Sequence, residues 1–462
     1  MPKKKCTIIV LAAGKGTRLN LDIPKALAPL NGKKLVDYTL KACANLESDF
    51  DLTVGFVLGF QKEKIENHFK SLYEEKNLKI AIQENQNGTG HALQCYLDQY
   101  PETLDEDEII VTCVDTPLIT SNIYELLINS NSNYEASAIS FLTSNPHGYG
   151  RISSGQLGFK IIEQKDCSEI EKEIQEVNSG LYIFKSNYLK KYINSLDNKN
   201  NSNEFYLTDL FKHGENIQAV NYKDEQIFLG INTLEQLEVA SKILNKTKVK
   251  ELRNKGVIFK DSDSVYIEDD VNIQKGSIIH PNVFLYGTTK IGEEVSIEPG
   301  VIILNSLVEK GALIKAYSYI ENAIVGSGSF VGPFARLRPQ AELGENTKVG
   351  NFVEIKKSVL KKGSKVSHLS YVGDAVIGER ANIGCGFITC NYDGVEKHKT
   401  LIGDDCFIGS DCQTIAPVEI EAGSFVAAGS TINKNMPKGS FAIARSKQIT
   451  KEGRAKSFLK KK

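Results

Sequence analysis

The stretch that decides the fold of the second half runs over residues 267–303 and reads IEDDVNIQKGSIIHPNVFLYGTTKIGEEVSIEPGVII. An aliphatic residue returns at every sixth position, at Ile267, Ile273, Ile279, Leu285, Ile291, Ile297 and Ile303. A small or β-branched residue follows four places after most of them, at Val271, Ser277, Val283, Thr289, Val295 and Val301. A six-residue period is typical of a parallel β-helix, in which each unit forms one side of a triangular prism and its aliphatic side chain faces inward.

The period slips by one residue near Val308 and again near Val325, and then continues. It resumes at Val325, Val331, Leu337, Leu343, Val349 and Ile355, returns at Ile377 and Ile383, and ends with Ile402, Ile408, Thr414, Ile420, Val426 and Ile432. The segment CNYDGVEKHKT, residues 390–400, interrupts it and is predicted to leave the prism as a loop, where binding groups tend to lie. Residues 257–462 are therefore predicted to form a left-handed parallel β-helix with a C-terminal tail.

The first half alternates apolar strands with helical stretches. Strands are predicted at CTIIVLAA, DLTVGFVLGF, LKIAIQE, EIIVTCVD and EASAISFL, with helices at 34–45 and 61–73. This order predicts a doubly wound parallel α/β sheet, which binds ligands at the carboxyl ends of its strands. We assign residues 1–232 to this domain and residues 233–256 to a connecting helix.

Composition limits the classes of partner. The 56 basic and 57 acidic residues nearly cancel, so no overall field favours nucleic acid or an anionic membrane. No stretch approaches the ~20 apolar residues of a membrane span, and the N-terminus does not resemble a signal peptide. Nine cysteines without CxxC spacing predict free thiols, and we expect a cytoplasmic protein.

A glycine-containing loop, LAAGKGTRL, follows the first strand directly. Gly14 and Gly16 let backbone N–H groups approach a triphosphate, while Arg18 and Lys25 supply positive charge for phosphoryl oxygens. The loop predicts nucleotidyl transfer, although GxG after a strand also occurs in ordinary βα turns.

Asp115 ends the strand IIVTCVD, where a carboxylate can hold a divalent cation against nucleotide phosphates. An ordinary strand-ending aspartate is the alternative. Phosphoryl transfer needs charge neutralisation at the sheet edge to which the glycine loop also points, so the metal role is favoured.

Taken together, these residues resemble the family of bacterial bifunctional N-acetylglucosamine-1-phosphate uridyltransferases and glucosamine-1-phosphate acetyltransferases. The resemblance covers nearly the whole chain. In the first half it rests on LAAGKGTR, PK, QNGTGHA, DTPL, GYGRI, EQKD, VNSG, FYLTDL and GIN. In the second half it rests on GPFARLRP, VGNFVEIKKS, SHLSYVGDA, NIG, TCNYDGVEKHKT and IGSD.

For the first half, the resemblance implies uridyl transfer from UTP to N-acetylglucosamine 1-phosphate with Mg²⁺. It places uridine and sugar contacts at Leu11, Ala12, Ala13, Gly14, Lys25, Gln83, Gly88, Thr89, Gly150, Glu163 and Asn178. The implied magnesium ligands are Asp115 and Asn232. Arg18 and Lys25 are expected to steady the departing pyrophosphate.

For the β-helix, the resemblance implies transfer of an acetyl group from acetyl-CoA to glucosamine 1-phosphate. Amino-sugar phosphate contacts correspond to Arg338, Lys356, Tyr371 and Asn382, and acetyl-CoA contacts to Cys385, Asn391, Tyr392, Ser410, Ala428 and Arg445. His368 matches the proposed catalytic base, and Glu354 is a further candidate catalytic residue. A lone histidine is more often structural, but the charged residues on neighbouring turns favour catalysis.

The sequence departs from the family pattern at Cys113-Val114, where Tyr-Gly is usual before the metal aspartate, and at Cys385, where alanine is usual. The first departure bears on sugar or nucleotide preference.

The resemblance also implies a homotrimer. Two alternatives remain open: a nucleotidyltransferase whose β-helix only assembles the oligomer, and a non-enzymatic nucleotide-sugar sensor or structural solenoid. The tail beyond Gly453 is predicted to be partly disordered, with an arm touching CoA phosphates as the alternative.

Overall fold

The computed structural model describes residues 3–46, 49–73, 78–155, 158–213 and 216–459. It divides into two compact units, Met1–Leu244 and Asn245–Lys462. The boundary lies inside the helix Leu234–Asn254, which occupies the segment where a connecting helix is expected. Ala240 packs in a core of the first unit, whereas Val249 and Leu252 pack in the core of the second.

The first unit is built on one mixed sheet with helices on both faces. Its strands are β1 Lys4–Ala12, β2 Pro29–Leu30, β3 Lys33–Lys34, β4 Phe50–Leu58, β5 Leu78–Ile82, β6 Glu108–Cys113, β7 Ala136–Leu142, β8 Arg151–Gly155, β9 Gly158–Ile162, β10 Glu176–Lys185 and β11 Ile217–Tyr222. Its helices are α1 Leu35–Ala44, α2 Lys62–Tyr73, α3 Thr89–Gln99, α4 Ser121–Ser130, α5 Glu169–Lys172, α6 Ser186–Tyr192 and α7 Leu234–Asn254. The main sheet runs β11-β7-β10-β6-β1-β4-β5, and β2 and β3 pair separately.

Burial of the sheet on both faces explains the continuous apolar runs. Ile8 and Val10 of β1 enter one core with α1, α2 and α4, while Ile9 and Leu11 enter another with α3. Because β1, β4, β5 and β6 are parallel, their carboxyl ends lie at one edge. The predicted α/β class is confirmed.

The sheet differs from a wholly parallel one at β10, which runs antiparallel to both β6 and β7. The hairpin β8–β9 joins the sheet through β10. Strand direction depends on the path of the connections, which alternation of apolar residues does not record.

The second unit consists of three parallel sheets, which we call the first, second and third faces of the prism. The first face contains Ile258–Phe259, Ile278–Ile279, Ser296–Ile297, Leu313–Ile314, Phe330–Val331, Lys348–Asn351, Lys365–His368, Asn382–Ile383, Phe407–Ile408, Phe425–Val426 and Phe441–Ala442. The second contains Tyr266–Ile267, Phe284–Tyr286, Ile302–Leu304, Tyr319–Glu321, Arg336–Leu337, Glu354–Lys356, Tyr371–Gly373, Ile388–Cys390, Gln413–Ile415 and Thr431–Ile432. The third contains Asn272–Ile273, Lys290–Ile291, Leu307–Val308, Ile324–Val325, Ala341–Leu343, Ser358–Leu360, Ala375–Ile377, Thr400–Ile402 and Val418–Ile420. The predicted β-helix is confirmed.

Coil length explains the two slips in the period. Ile279 pairs with Ile297, eighteen positions along the chain, as three six-residue units require. Ile291 pairs with Val308, and Val308 pairs with Val325, each seventeen positions along. These coils are one residue shorter, yet the aliphatic side chains stay in line.

The inward aliphatic residues form one continuous core along the prism. Ile291, Ile297 and Ile303 are each at most 1% exposed. The small positions are buried as well, including Cys406 and Cys412, so packing accounts for these two thiols. None of the nine cysteines, all of which lie in the described ranges, forms a disulfide.

No helix in the described ranges is long and apolar enough to cross a membrane.

Two adjacent residues of one strand test which side chains point into the core and which point to solvent. Ile291 is buried in the core, whereas its neighbour Lys290 is exposed on the third face. We expect Ile291→Ala to lower the free energy of unfolding by about 2–5 kcal/mol, because it leaves a cavity in a packed core. Lys290→Ala should change it by less than about 0.5 kcal/mol. Denaturant unfolding followed by circular dichroism measures both; equal effects would contradict the assigned directions.

Candidate active sites

A cavity of about 250 Å³ opens at the sheet edge where β1, β5 and β6 end. Nine of the predicted nucleotide-site residues line it: Leu11, Ala12, Ala13, Gly14, Lys25, Gln83, Gly88, Thr89 and Asp115. The lining also includes Gln86, Ala92, Cys113, Val114 and Glu204. The strand ends therefore bring together residues that lie far apart in the sequence.

Two glycines permit the close approaches that shape this cavity. Gly16 has φ +62°, and a Cβ built on it would lie 2.8 Å from the Cβ of Lys25. Gly88 has φ +109°, and its Cβ would lie 2.6 Å from the backbone oxygen of Phe205. A side chain at either position would be strained and would clash, so both turns require glycine.

A positive charge already lies between the two predicted metal ligands. Lys25 Nζ lies 2.5 Å from Asp115 Oδ2 and 2.9 Å from Asn232 Oδ1. Arg18 Nη2 donates to the same Asn232 oxygen at 3.0 Å. The backbone N–H of Ile231 donates to the Asp115 carbonyl at 2.8 Å and brings Asn232 beside Asp115.

This donor set fits a magnesium ion. A carboxylate oxygen and an amide oxygen converge on one cationic centre, and Mg²⁺ prefers such hard oxygen ligands while keeping several of its waters. Among the described residues, no group of three or more His, Cys, Asp or Glu side chains could hold a metal ion. A site here would therefore depend on few protein ligands together with substrate phosphates and water.

The predicted sugar contacts lie at the residue after β9, on β10 and at the residue before β8. Asn178 N–H donates to the Gly150 carbonyl at 2.9 Å, and Asn178 Nδ2 donates to the Tyr182 hydroxyl at 2.6 Å. Burial raises the pKa of Glu163, and a hydrogen bond from the Thr208 hydroxyl opposes that rise. Gly150, Glu163 and Asn178 are not among the residues that line the cavity.

The two unusual residues before Asp115 both line the cavity but pack against different cores. Val114 is 4% exposed and belongs to the core that contains Ile110. Cys113 lines the cavity, and burial, followed by the nearby Asp115 charge, raises the pKa of its thiol to about 12. The thiol is therefore protonated at neutral pH and acts as a small neutral side chain.

In the second unit, one edge of the prism, between the first and second faces, stacks five residues that we call the site edge. They are Asn351, His368, Cys385, Ser410 and Ala428. Backbone hydrogen bonds between neighbouring coils hold these five residues in line. In each bond, the N–H of the residue that follows a site-edge residue donates to the carbonyl of the site-edge residue one coil earlier. The four bonds run from Leu369 to Asn351, from Gly386 to His368, from Asp411 to Cys385 and from Gly429 to Ser410. His368 therefore stands in line with three predicted acetyl-CoA positions.

The ring of His368 is oriented by its neighbour on the site edge. His368 Nδ1 lies 2.8 Å from Asn351 Oδ1. An amide oxygen only accepts, so this contact places the imidazole proton on Nδ1 and leaves Nε2 with a free lone pair. The arrangement suits a general base.

A cluster of cations lies on the second face near the loop 390–400. Arg338 Nη1 pairs with Glu354 Oε1 at 2.8 Å, and Tyr371 stands beside Glu354 in the strand register. The ammonium of Lys397, in the loop, lowers the pKa of Lys356; desolvation and the charge of Arg338 act in the same direction. Like charges held this close favour binding of a dianion.

Asp374, which is buried, anchors both ends of the loop. Its Oδ2 accepts from Asn391 Nδ2 at 2.6 Å, and its carbonyl accepts from Thr400 N–H at 3.2 Å. Within the loop, the Tyr392 hydroxyl donates to the Gly394 carbonyl at 2.6 Å.

Two further predicted ligand contacts are Asn382, on the first face, and Arg445, which follows the last strand of that face. Asn382 pairs with Lys365 in the strand register. Arg445 donates to the Ala428 carbonyl at 2.8 Å, so its guanidinium lies at the last coil of the site edge.

In the C-terminal tail, Arg454–Ser457 form one 3-10 turn, and residues 460–462 lie outside the described residues. Disorder of the tail stays a prediction.

Several neighbours of these sites were not predicted as site residues: Asn351, Lys397, Gln86 and Glu204. Asn351 and Lys397 stand inside the motifs VGNFVEIKKS and TCNYDGVEKHKT. Counting seventeen residues back from His368 would have found Asn351, because the coils there have that length. Glu204 carries no comparable signal.

Models of known families match three parts of the chain. Residues 7–230 match a model described as nucleotidyl transferase. Residues 262–341 match one described as the GMPPB C-terminal domain, and residues 399–434 match bacterial transferase hexapeptide (six repeats). The matched segments agree with the two architectures described above.

Curated relatives extend over almost the whole chain. The bifunctional protein GlmU of Geotalea uraniireducens (strain Rf4) is 41% identical over 455 residues, which cover 96% of this chain and 97% of that protein. The bifunctional protein GlmU of Clostridium botulinum (strain ATCC 19397 / Type A) is 39% identical over 464 residues, covering 98% and 99%. This chain belongs to the family of bifunctional GlmU proteins.

Proposed function

We propose that this chain makes UDP-N-acetylglucosamine in two reactions carried out at separate sites. The β-helix acetylates glucosamine 1-phosphate with acetyl-CoA, and the α/β unit then transfers UMP from UTP to N-acetylglucosamine 1-phosphate. The observation that carries the proposal is the site edge, which aligns a histidine base with the predicted acetyl-CoA positions. A β-helix used only for assembly would not need that alignment or the cations beside it.

In uridyl transfer, the phosphate oxygen of the sugar phosphate attacks the α-phosphorus of UTP, and the bond to the bridging oxygen of pyrophosphate breaks. Lys25 and Arg18 balance charge on the phosphates of the leaving group. Asp115 and Asn232 would hold Mg²⁺, which supplies charge neutralisation between the phosphates when it is bound. The short contacts among Lys25, Asp115 and Asn232 support this assignment.

Removing the carboxylate at the end of β6 tests the first site. We expect Asp115→Ala to lower the rate of pyrophosphate release by about 10²- to 10³-fold, because a charge that holds the metal is lost. Acetyl transfer by the same variant should be unchanged. Asp107→Ala, an exposed aspartate near the start of the same strand, serves as the matched control. Normal pyrophosphate release by Asp115→Ala at ordinary magnesium concentrations would exclude the metal assignment.

In acetyl transfer, His368 Nε2 takes a proton from the amino group of the sugar. The nitrogen then attacks the thioester carbonyl, a C–N bond forms, the C–S bond breaks, and the CoA thiolate leaves and is protonated. Asn351 orients the imidazole. Arg338 and Lys356 bind the phosphate, and Tyr371 and Asn382 bind the sugar. Because Glu354 contacts Arg338, we assign it a positioning role instead of proton transfer.

Substitution of the histidine tests the second site. We expect His368→Ala to reduce acetyl transfer by about 10²- to 10⁴-fold through loss of the general base, while uridyl transfer continues. His280→Ala is the matched control and should retain acetyl transfer, because His280 follows the strand Ile278–Ile279 on a much earlier coil. A thiol assay for released CoA measures the reaction. Wild-type rates in His368→Ala would refute the assignment.

A line of exposed apolar side chains next to the site edge supports a homotrimer. We call this line the apolar row. Tyr317, Phe334, Phe352 and Leu369 are 61, 48, 56 and 59% exposed. The three rings stack at centroid distances of 5.3 and 5.4 Å. All four residues have positive φ, which is unfavourable for bulky side chains, so burial against a second copy of the chain would offset their conformational cost.

Charges placed in the apolar row test the assembly. We expect the double substitution Phe334→Asp and Phe352→Asp to shift the solution mass from trimer to monomer, since it would bury two unpaired charges. Ile170→Asp, which charges an 85% exposed residue of α5, should leave the mass unchanged. Light scattering after size exclusion reads the mass directly, and a double variant that stays trimeric would rule out this surface as the interface.

The substrates are small molecules, and we expect the enzyme in the cytoplasm, where UTP and acetyl-CoA are made. That location remains a prediction.

A further inference from the structure

We infer that His91 is a positioning residue for base selection at the nucleotide site: it holds the amide of Gln83 so that only an acceptor oxygen is offered to the base. The inference rests on the proposed use of UTP and adds the residue that enforces the choice of uracil over cytosine. His91 lies in the first turn of α3 and does not itself line the cavity.

The orientation of the Gln83 amide is set by two acceptors. Its Nε2 donates to the Gly88 carbonyl at 3.0 Å and to His91 Nδ1 at 3.0 Å. A peptide carbonyl cannot donate, so the nitrogen of the amide must face Gly88 and the oxygen must face away. Both amide hydrogens are then used.

The tautomer of His91 follows from the same contacts. Nδ1 must carry a lone pair to accept from Gln83, which leaves the ring proton on Nε2. His91 Nε2 lies 3.6 Å from the sulfur of Cys95, one helical turn later, and the sulfur is a weak acceptor. The ring also packs near Phe205, with centroids 6.2 Å apart. His91 is therefore held from both sides.

The oxygen of the amide remains for a ligand. Gln83 is 3% exposed and lines the cavity, and no hydrogen bond to its Oε1 occurs within the described ranges. Because Gln83 lines the cavity, an N–H group of a ligand there can donate to this acceptor. The main chain of Gln83 is anchored as well, because its N–H donates to the Leu58 carbonyl at 2.8 Å.

The chemistry of the pyrimidines makes this oxygen selective. Uracil carries N–H at ring position N3, whereas cytosine carries a lone pair there, which would face the lone pairs of Oε1. Loss of His91 would leave the Gly88 carbonyl as the only acceptor that holds the amide nitrogen. Turning the nitrogen toward the base would then break one hydrogen bond instead of two. The amide could then donate to cytosine, and discrimination would weaken.

Two substitutions separate this role from packing. His91→Phe keeps a ring beside Phe205 but removes the acceptor, whereas His91→Gln keeps an acceptor oxygen. We expect His91→Phe to lower the ratio of kcat/KM for UTP to that for CTP by about tenfold, the effect of about one hydrogen bond, mainly through KM for UTP. His91→Gln should hold the ratio within about threefold of wild type.

Steady-state pyrophosphate release with each nucleotide gives both constants. An unchanged ratio in His91→Phe, with unchanged KM for UTP, would overturn the inference, as would equal losses in the two variants. If the wild-type protein itself fails to prefer UTP over CTP, the proposed function is at fault instead. Acetyl transfer by each variant checks that the preparation is intact.

Discussion

The backbone hydrogen bonds between consecutive coils are the constraint on which the second unit depends. They hold residues seventeen or eighteen positions apart directly in line, whatever their side chains are. Inside the prism this alignment stacks aliphatic residues into one core. At the site edge the same alignment places His368 between Asn351 and Cys385. One set of backbone contacts thus determines both the packing and the spacing of chemical groups.

The period of six was sufficient to predict the β-helix and its core, because each inward position repeats the same local requirement. The site was harder to predict. Asn351 carries no charge and appears in the sequence as an ordinary polar residue, and only the coil length makes it the partner of His368. The cation cluster depends on Lys397, which the loop returns to the second face near Lys356. Loop paths are not encoded by periodicity.

In the α/β unit as well, the sequence predicted the regular elements better than the contacts between distant residues. Apolar runs predicted the parallel strands and the cavity at their ends, because a sheet buried on both faces needs such runs. They did not reveal that β10 runs antiparallel, or that Lys25 contacts Asp115, ninety positions away. The orientation of the Gln83 amide is a still finer property, since it depends on one carbonyl and one ring nitrogen.

The long coil that carries the loop 390–400 differs from the others in a useful way. Asn382 pairs with Phe407, twenty-five positions on, yet Ile383 and Ile408 remain in the core and the next coil returns to eighteen. The extra residues leave at a corner whose two sides are already held by Asp374. Insertions or deletions within the loop would therefore be absorbed without shifting any strand. This corner is a point at which such a solenoid can change the side chains that it presents to a ligand while its framework stays the same.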